Sequence, residues 1–210
     1  MVDLKEFEQK AADLRVLGMK ISIGQDTVYE KYWDEDCRRN IYSASKSFTS
    51  CAVGFAVQEG LIDLDERLMD AFKEDIPNNP DENLKKATVK DLLTMTLGQE
   101  KGFLMGKQRP RMEEQNWVKA SLAIPFVYEP GTHFVYNNVG PYLAGILVQR
   151  RAGCDLLSYL TPRLLKPLGI RKTIWEVDPE GNTFGAGGLF LTVSELHKLG
   201  MFYLQNGCWN

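Results

Sequence analysis

Ser43 and Lys46 stand three residues apart in the stretch IYSASKSFTSCAVGFAVQEG, residues 41–60, where small polar residues run directly into an apolar segment. On a helix, positions i and i+3 share one face, so an amine at 46 can reach a hydroxyl at 43. A serine hydroxyl is a poor nucleophile until a neighbouring base removes its proton. A buried lysine can be that base, because desolvation disfavours its charged form. A helix N-terminus also offers backbone N–H groups to a developing oxyanion. The chemistry that fits is acyl transfer through a serine ester. A structural reading fits the same tetrapeptide: Ser43 or Ser45 caps the helix while Lys46 extends to water. One S-x-x-K is expected by chance in roughly every chain of this size. Among the eight serines, Ser43 alone has a lysine three positions on.

The elements that must position this pair can be read from periodicity and punctuation. Apolar residues at Leu4, Phe7, Ala11 and Leu14 predict an amphipathic helix over residues 4–16. MKISIGQDTVYEKYW predicts two strands around a Gly24-Gln25-Asp26 turn. The mostly apolar pattern from Ser45 to Glu59, closed by Gly60, predicts a buried central helix with Ser43 at its end. Thr88 suits the N-cap of VKDLLTMTLG. Residues 97–111, rich in Gly, Lys and Arg, read as a surface excursion, either a rim for substrate or a solvated connector. Short helices are expected over residues 113–122 and, capped by Asp155, up to Leu165. YNNVGPYLAGILVQRRAG reads as a loop entering a buried helix, and TVSE at 192–195 is a capping box opening a last helix toward Gln205. The balance is many helices, one early hairpin and no βαβ alternation.

A chain of 210 residues, 44% hydrophobic and 25% charged, has the composition of a globular protein with a real core. A net charge of -3 gives no argument for nucleic acid or an acidic membrane as partner. The longest clean apolar run, Cys51 to Val57, is too short to span a bilayer. The opening MVDLKEFEQKAADL is charged and amphipathic rather than a secretory signal, so a cytoplasmic protein is expected. Cys37, Cys51, Cys154 and Cys208 are scattered without a CxxC pair and read as free thiols. With only His133 and His197, a histidine-rich metal site is not expected.

Taken together, YSASKSFTSCAVGFAVQEGLIDLDERL resembles the active-site helix of the serine β-lactamase and penicillin-binding protein superfamily, closest to its class C β-lactamase and esterase branch. Further blocks follow in order: ATVKDLLTMTLG, then YEPGTHFVYNNVGPYLAGILVQRRAG, which resembles a P-G-x-x-F-x-Y-x-N block, then LLKPLGIRKTIW and AGGLFLTVSELHKLGMFYLQNG. The resemblance covers nearly everything after Gly18. It implies an α/β (α+β) β-lactamase/transpeptidase-like domain over residues 1–210, with no metal or organic cofactor. By position it implies Ser43 as acylated nucleophile, Lys46 as its partner, Tyr136 as a phenolate-like base, and Asn138 as the amide that holds Lys46 and donates to the substrate carbonyl. Outside the resemblance, YNN reads equally as a turn in which Asn138 caps the next helix. The implied substrate is a small ester, a D-amino-acid amide or a β-lactam.

One element of the resemblance is missing. A strand carrying K-T-G or H-x-G should line the site and supply a second oxyanion N–H. In RKTIW, isoleucine follows Lys172-Thr173 where glycine is needed, and Lys198-Leu199-Gly200 falls inside the predicted last helix. The expectation is that the C-terminal strands and helix of the fold are absent, leaving the hairpin with an open edge suited to pairing across a homodimer. Two other functions remain open: a relative that binds ligand in the pocket without turnover, and a fragment with no independent activity.

Overall fold

The computed structural model describes residues 3–11 and 13–209. In chain order it contains α1 (Lys5–Ala11), the strands β1 (Gly18–Ile23), β2 (Asp26–Tyr32) and β3 (Arg39–Asn40), and the helix α2 (Ser45–Gln58). The helices α3 (Leu68–Ala71), α4 (Glu82–Lys86), α5 (Val89–Thr94), α6 (Trp117–Leu122), α7 (Val139–Ala152) and α8 (Leu156–Leu160) follow. The strand β4 (Phe190–Leu191) and the helix α9 (Val193–Leu204) complete the order. The chain forms two compact units. The first holds the described residues up to Asn40, Leu164–Thr173 and those from Phe190 on; the second holds Ile41–Arg163 and Ile174–Leu189.

In the first unit β1 and β2 pair antiparallel from Gly18↔Tyr32 to Ile23↔Asp26, with a register irregularity between Ile21 and Ser22. The turn at Gly24 has φ 59°, a left-handed conformation that glycine adopts without strain. The hairpin is the expected one, but it is not bare. Helix α9 is joined to it through Ser22 Oγ to His197 Nε2 at 2.9 Å and Tyr32 Oη to Ser194 Oγ at 2.8 Å. The capping box at Thr192 and Glu195 forms as read from the sequence. Glu195 also binds Arg38, whose guanidinium reaches the carbonyls of Arg171 and Lys172. A second, two-residue ladder pairs Arg39↔Leu191 and Asn40↔Phe190. The first helix is shorter than its apolar pattern suggested, ending at Ala11.

The second unit is helical, and its centre is α7 rather than α2. Every residue from Val139 to Gln149 is buried, whereas Ser47, Ser50, Gly54 and Val57 leave an exposed stripe along α2. The apolar composition of α2 therefore overstated its burial. Its inner face, Phe48, Thr49, Ala52, Val53 and Ala56, packs on α7. On its other side α7 meets α5 at very close range: a Cβ on Gly140 would lie 2.3 Å from the carbonyl oxygen of Leu92. Only glycine permits that approach. Helix α5 is itself fixed by the Thr88–Asp91 capping box. The segment 97–111 is less superficial than its composition implied, since Leu97, Gln99 and Leu104 are buried. Among the described residues no disulfide joins Cys37, Cys51, Cys154 or Cys208, and no helix is long and apolar enough to cross a membrane.

Candidate active site

Ser43 does not lie in the first turn of α2. It sits in a 3₁₀ turn, Tyr42–Ala44, immediately before it. The turn is entered through Tyr42 at φ 47°, a left-handed backbone that is costly for a bulky residue and is tolerated where the surroundings enforce it. Neither serine caps the helix. The N-cap position is Ala44, with no side-chain cap, and Ser45 is buried with its Oγ accepting the Leu189 N–H at 3.1 Å. Lys46 does not extend to water either. Its Nζ donates to Ser43 Oγ at 3.1 Å, to Asn138 Oδ1 at 2.8 Å and to the Ala186 carbonyl at 2.6 Å. Three acceptors match the three N–H bonds of an ammonium.

Tyr136 approaches from the loop ahead of α7. Its hydroxyl donates to Ser43 Oγ at 2.7 Å, and Lys46 Nζ stands 5.2 Å from its ring centroid. The structure thus brings Ser43, Lys46, Tyr136 and Asn138 into one hydrogen-bonded cluster. Ser43 and Tyr136 are solvent-exposed, Lys46 is half-buried and Asn138 is buried.

The two adjacent asparagines divide the work that the sequence left undecided. Asn138 occupies the N-cap position of α7, but its side chain makes no cap. Its Oδ1 faces Lys46 and its Nδ2 donates to the Leu104 carbonyl at 2.9 Å, so one of its two amide hydrogens is already engaged. The capping contact comes from Asn137, whose Oδ1 accepts the Gly140 N–H at 3.2 Å. Asn137 is in turn linked to the buried Gln99, which donates to the Ser121 carbonyl at 2.9 Å. The chain around Phe103 forms the wall behind this loop, its carbonyl accepting the Asn138 N–H at 3.2 Å. On that wall lies a cavity of about 310 Å³ lined by Glu100, Lys101, Phe103, Gln108, Ile124 and Val127.

Electrostatics bind Lys46 and Tyr136 to each other. Burial lowers the Lys46 pKa below its ordinary value; Tyr136 pulls it back in part, and the Arg109 charge lowers it further. For Tyr136, burial acts upward, but the Ser43 hydrogen bond and the Lys46 charge outweigh it, so the phenol lies below its ordinary value. The leading amides of α2 are less available than the sequence suggested. The Ala44 N–H is taken by Ile41 O and the Ser45 N–H by Tyr42 O.

The partners missed from sequence are backbone and long-range. The Ala186 carbonyl belongs to the turn 184–188, and only the paired glycines of AGGLF hinted that the chain there approaches something closely. Neither loose candidate for a third motif is on a strand: Lys198 to Gly200 are inside α9, and Lys172 is in a loop at φ 43°. Among the described residues no group of His, Cys, Asp and Glu could hold a metal ion.

Comparison with known proteins bears on the family and the fold. The family described as Beta-lactamase matches residues 5–207. A monacolin J acid methylbutanoyltransferase of Aspergillus terreus is 31% identical over 157 residues, covering 65% of this chain and 37% of that protein. A lovastatin esterase of Penicillium rubens is 31% identical over 150 residues, covering 61% of this chain and 37% of that protein. In fold, the chain is similar to a putative 6-aminohexanoate-dimer hydrolase from Bacillus anthracis, with TM-score 0.82 at 20% identity over 97% of this chain and 57% of that one. The chain therefore spans little more than a third of the length of these curated relatives and over half of the solved structure. With a match running almost end to end and the fold shared, the chain belongs to the Beta-lactamase family.

Proposed function

We propose that this chain performs serine acyl transfer, with Ser43 forming an ester to the acyl group of a small ester or amide substrate. The observation that carries this reading is the convergence on one atom: Ser43 Oγ receives both Lys46 Nζ at 3.1 Å and Tyr136 Oη at 2.7 Å. Lys46, holding three acceptors, has the bonding of an ammonium and no lone pair to offer. The base is then Tyr136. As a phenolate stabilised by the Lys46 charge, it takes the Ser43 proton while Oγ attacks the carbonyl carbon. The tetrahedral intermediate collapses, the leaving group departs with the proton returned by Tyr136, and the acyl group remains on Ser43. Water or an acceptor alcohol, deprotonated by the same phenolate, then releases it.

The names of the curated relatives, a methylbutanoyltransferase and an esterase, favour an ester carbonyl over a β-lactam. The mostly apolar cavity beside Phe103, Ile124 and Val127 suits the hydrocarbon part of such a substrate. The strand-borne second oxyanion donor implied by the family resemblance has no K-T-G or H-x-G in this sequence. Activated acyl donors are the right first substrates, because they rely least on an oxyanion donor, which typically supplies about 10²–10³ in rate. The test is intact-mass analysis after exposure to a fluorophosphonate and to a p-nitrophenyl ester. A single adduct that maps to Ser43 and vanishes in Ser43→Ala is expected. Saturable ligand binding with no adduct on the native chain would instead identify a binding relative without turnover.

A further inference from the structure

Lys46 is held by three acceptors, and the shortest of the three contacts is to a backbone carbonyl that has no side chain of its own to orient it. Ala186 O lies 2.6 Å from Nζ at the crest of the turn 184–188. The inner side of this turn is tied to the core: Thr49 Oγ1 donates to Gly185 O at 2.7 Å and Trp175 Nε1 to Gly187 O at 2.8 Å. Further supports come from Glu176. The Glu176 N–H donates to Gly188 O at 2.9 Å, and Glu176 O accepts the Phe184 N–H at 2.8 Å, so its backbone closes both ends of the turn. The Glu176 side chain crosses directly over Gly188, where a Cβ would lie 2.5 Å from Glu176 Cβ and 2.6 Å from its Oε2. There it meets Arg109, whose NH1 is 3.3 Å from Oε2. The Arg109 guanidinium carbon in turn rests 4.3 Å from the centroid of the buried Phe184 ring. One residue thus spans both ends of the turn while the other covers its first side chain. Arg109 Nε is buried without a hydrogen-bond partner, so the guanidinium is held by the ring and by Glu176.

We propose that Arg109 and Glu176 form a clamp that fixes the turn 184–188, and through it the Ala186 carbonyl, against Lys46, which makes them positioning residues for the chemistry at Ser43. The kinetic consequence rests on the acyl-transfer reading; the geometric one does not. A half-buried ion pair with a 3.3 Å contact contributes little to stability by itself. Its effect is local: a loosened turn withdraws one of three acceptors from the Lys46 ammonium. The charged lysine is then less favoured, and the Tyr136 phenolate loses part of its counter-charge.

The sign of the effect separates a clamp from a simple field. The charged groups acting on the pair are Arg109 and Tyr136 on Lys46, and Lys46 on Tyr136. If Arg109 and Glu176 acted only through space, Arg109→Met would raise the Tyr136 midpoint and Glu176→Gln would lower it. A clamp predicts that both raise it, by about half a unit, a threefold change in phenolate fraction. The midpoint is read from the near-ultraviolet phenolate band, taking each protein minus its Tyr136→Phe counterpart. Arg109→Lys, which keeps the charge and a single donor, falls between wild type and Arg109→Met. It also carries the test with Glu176→Gln if Arg109→Met fails to fold. Ser43 labelling by a fluorophosphonate should slow about threefold in the same order. A Glu176→Gln midpoint that falls or stays put overturns the clamp, whatever the labelling shows. Absence of labelling in the wild type would count against acyl transfer at Ser43 while the titration still decides the clamp.

Discussion

Replacing Lys46 by Met tests the division of labour between the amine and the phenol. Methionine keeps most of the volume and loses the charge and all three N–H bonds. Asn138 Oδ1 and Ala186 O, at 2.8 and 2.6 Å from Nζ, are left as unpaired acceptors. Each costs about 1–3 kcal/mol when buried, against which stands the removal of a desolvated ammonium. Those contributions oppose one another, so a thermal melt is the control and only a modest change in Tm is expected. The kinetic effect is larger and has a sign. Burial raises the Tyr136 pKa, while the Ser43 hydrogen bond and the Lys46 charge lower it. Without Lys46 the balance moves upward, and every unit of rise removes a factor of ten in phenolate at neutral pH, about 1.4 kcal/mol. At pH 7 the second-order rate of Ser43 labelling by a fluorophosphonate should fall by about 10²–10⁴, the range that general-base catalysis supplies. If, as proposed, the active form is the deprotonated phenol, the wild-type rate should rise through an acid limb and level off below the ordinary tyrosine value. In Lys46→Met the limb moves to higher pH, and much of the rate returns once the phenolate forms. A variant that stays slow at every pH would make Lys46 itself the base. One that labels at the wild-type rate with an unmoved limb refutes the electrostatic reasoning altogether.

Two further outcomes test the scaffold. Gly140→Ala places a Cβ 2.3 Å from the Leu92 carbonyl oxygen, so α5 and α7 must part; the strain exceeds alanine's better helix propensity and destabilises by about 2 kcal/mol. A drop in Tm of roughly 4–8 °C is expected, and an unchanged or higher Tm would show that the two helices are free to separate. Glu195→Gln keeps the shape of the capping box but removes the charge facing Arg38, 2.5 Å away, at a cost of about 1–2 kcal/mol near neutral pH. Burial raises the Glu195 pKa, but Arg38 and the Thr192 N–H lower it more, to below its ordinary 4.5. A carboxylate so depressed stabilises above its unfolded pKa and loses that contribution as pH falls through its folded value. The difference between wild type and variant in denaturant melts should therefore shrink below about pH 4.5, and a difference that grows on acidification contradicts the assignment.

What was legible in the sequence follows the range of the interaction. Thr88 with Asp91, Thr192 with Glu195, and Asp155 with Ser158 are contacts across three residues, and each helix starts where those side chains said it should. The hairpin was equally local, its Gly24 turn fixing the register of both strands. Burial was harder to read. The apolar runs in α2 and α7 look alike, yet the exposed stripe on α2 and the complete burial of α7 depend on neighbours that local pattern does not name. The segment 97–111 shows the opposite error: its charges suggested solvent, while Gln99 and Leu104 serve as internal supports for Asn137 and Asn138.

The candidate site sits at the junction of these two cases. Spacing alone allowed Lys46 to point at Ser43 or at water, and the helix could not decide, because both are compatible with an i, i+3 pair. The choice is made by groups 92 and 140 residues further along the chain, Asn138 and Ala186, which provide the acceptors a desolvated ammonium requires. Only the asparagine left a mark in the sequence, since a carbonyl has no residue type. The same reasoning explains why Arg109 and Glu176 were not singled out. Nothing in either side chain announces a role until the turn at 184–188 is seen between them, and an arginine in a basic loop otherwise reads as solvated surface. Residues that do chemistry are constrained by type and can be recognised by motif. Residues that hold a backbone carbonyl in place are constrained only by geometry, and any pair that spans the same turn would serve.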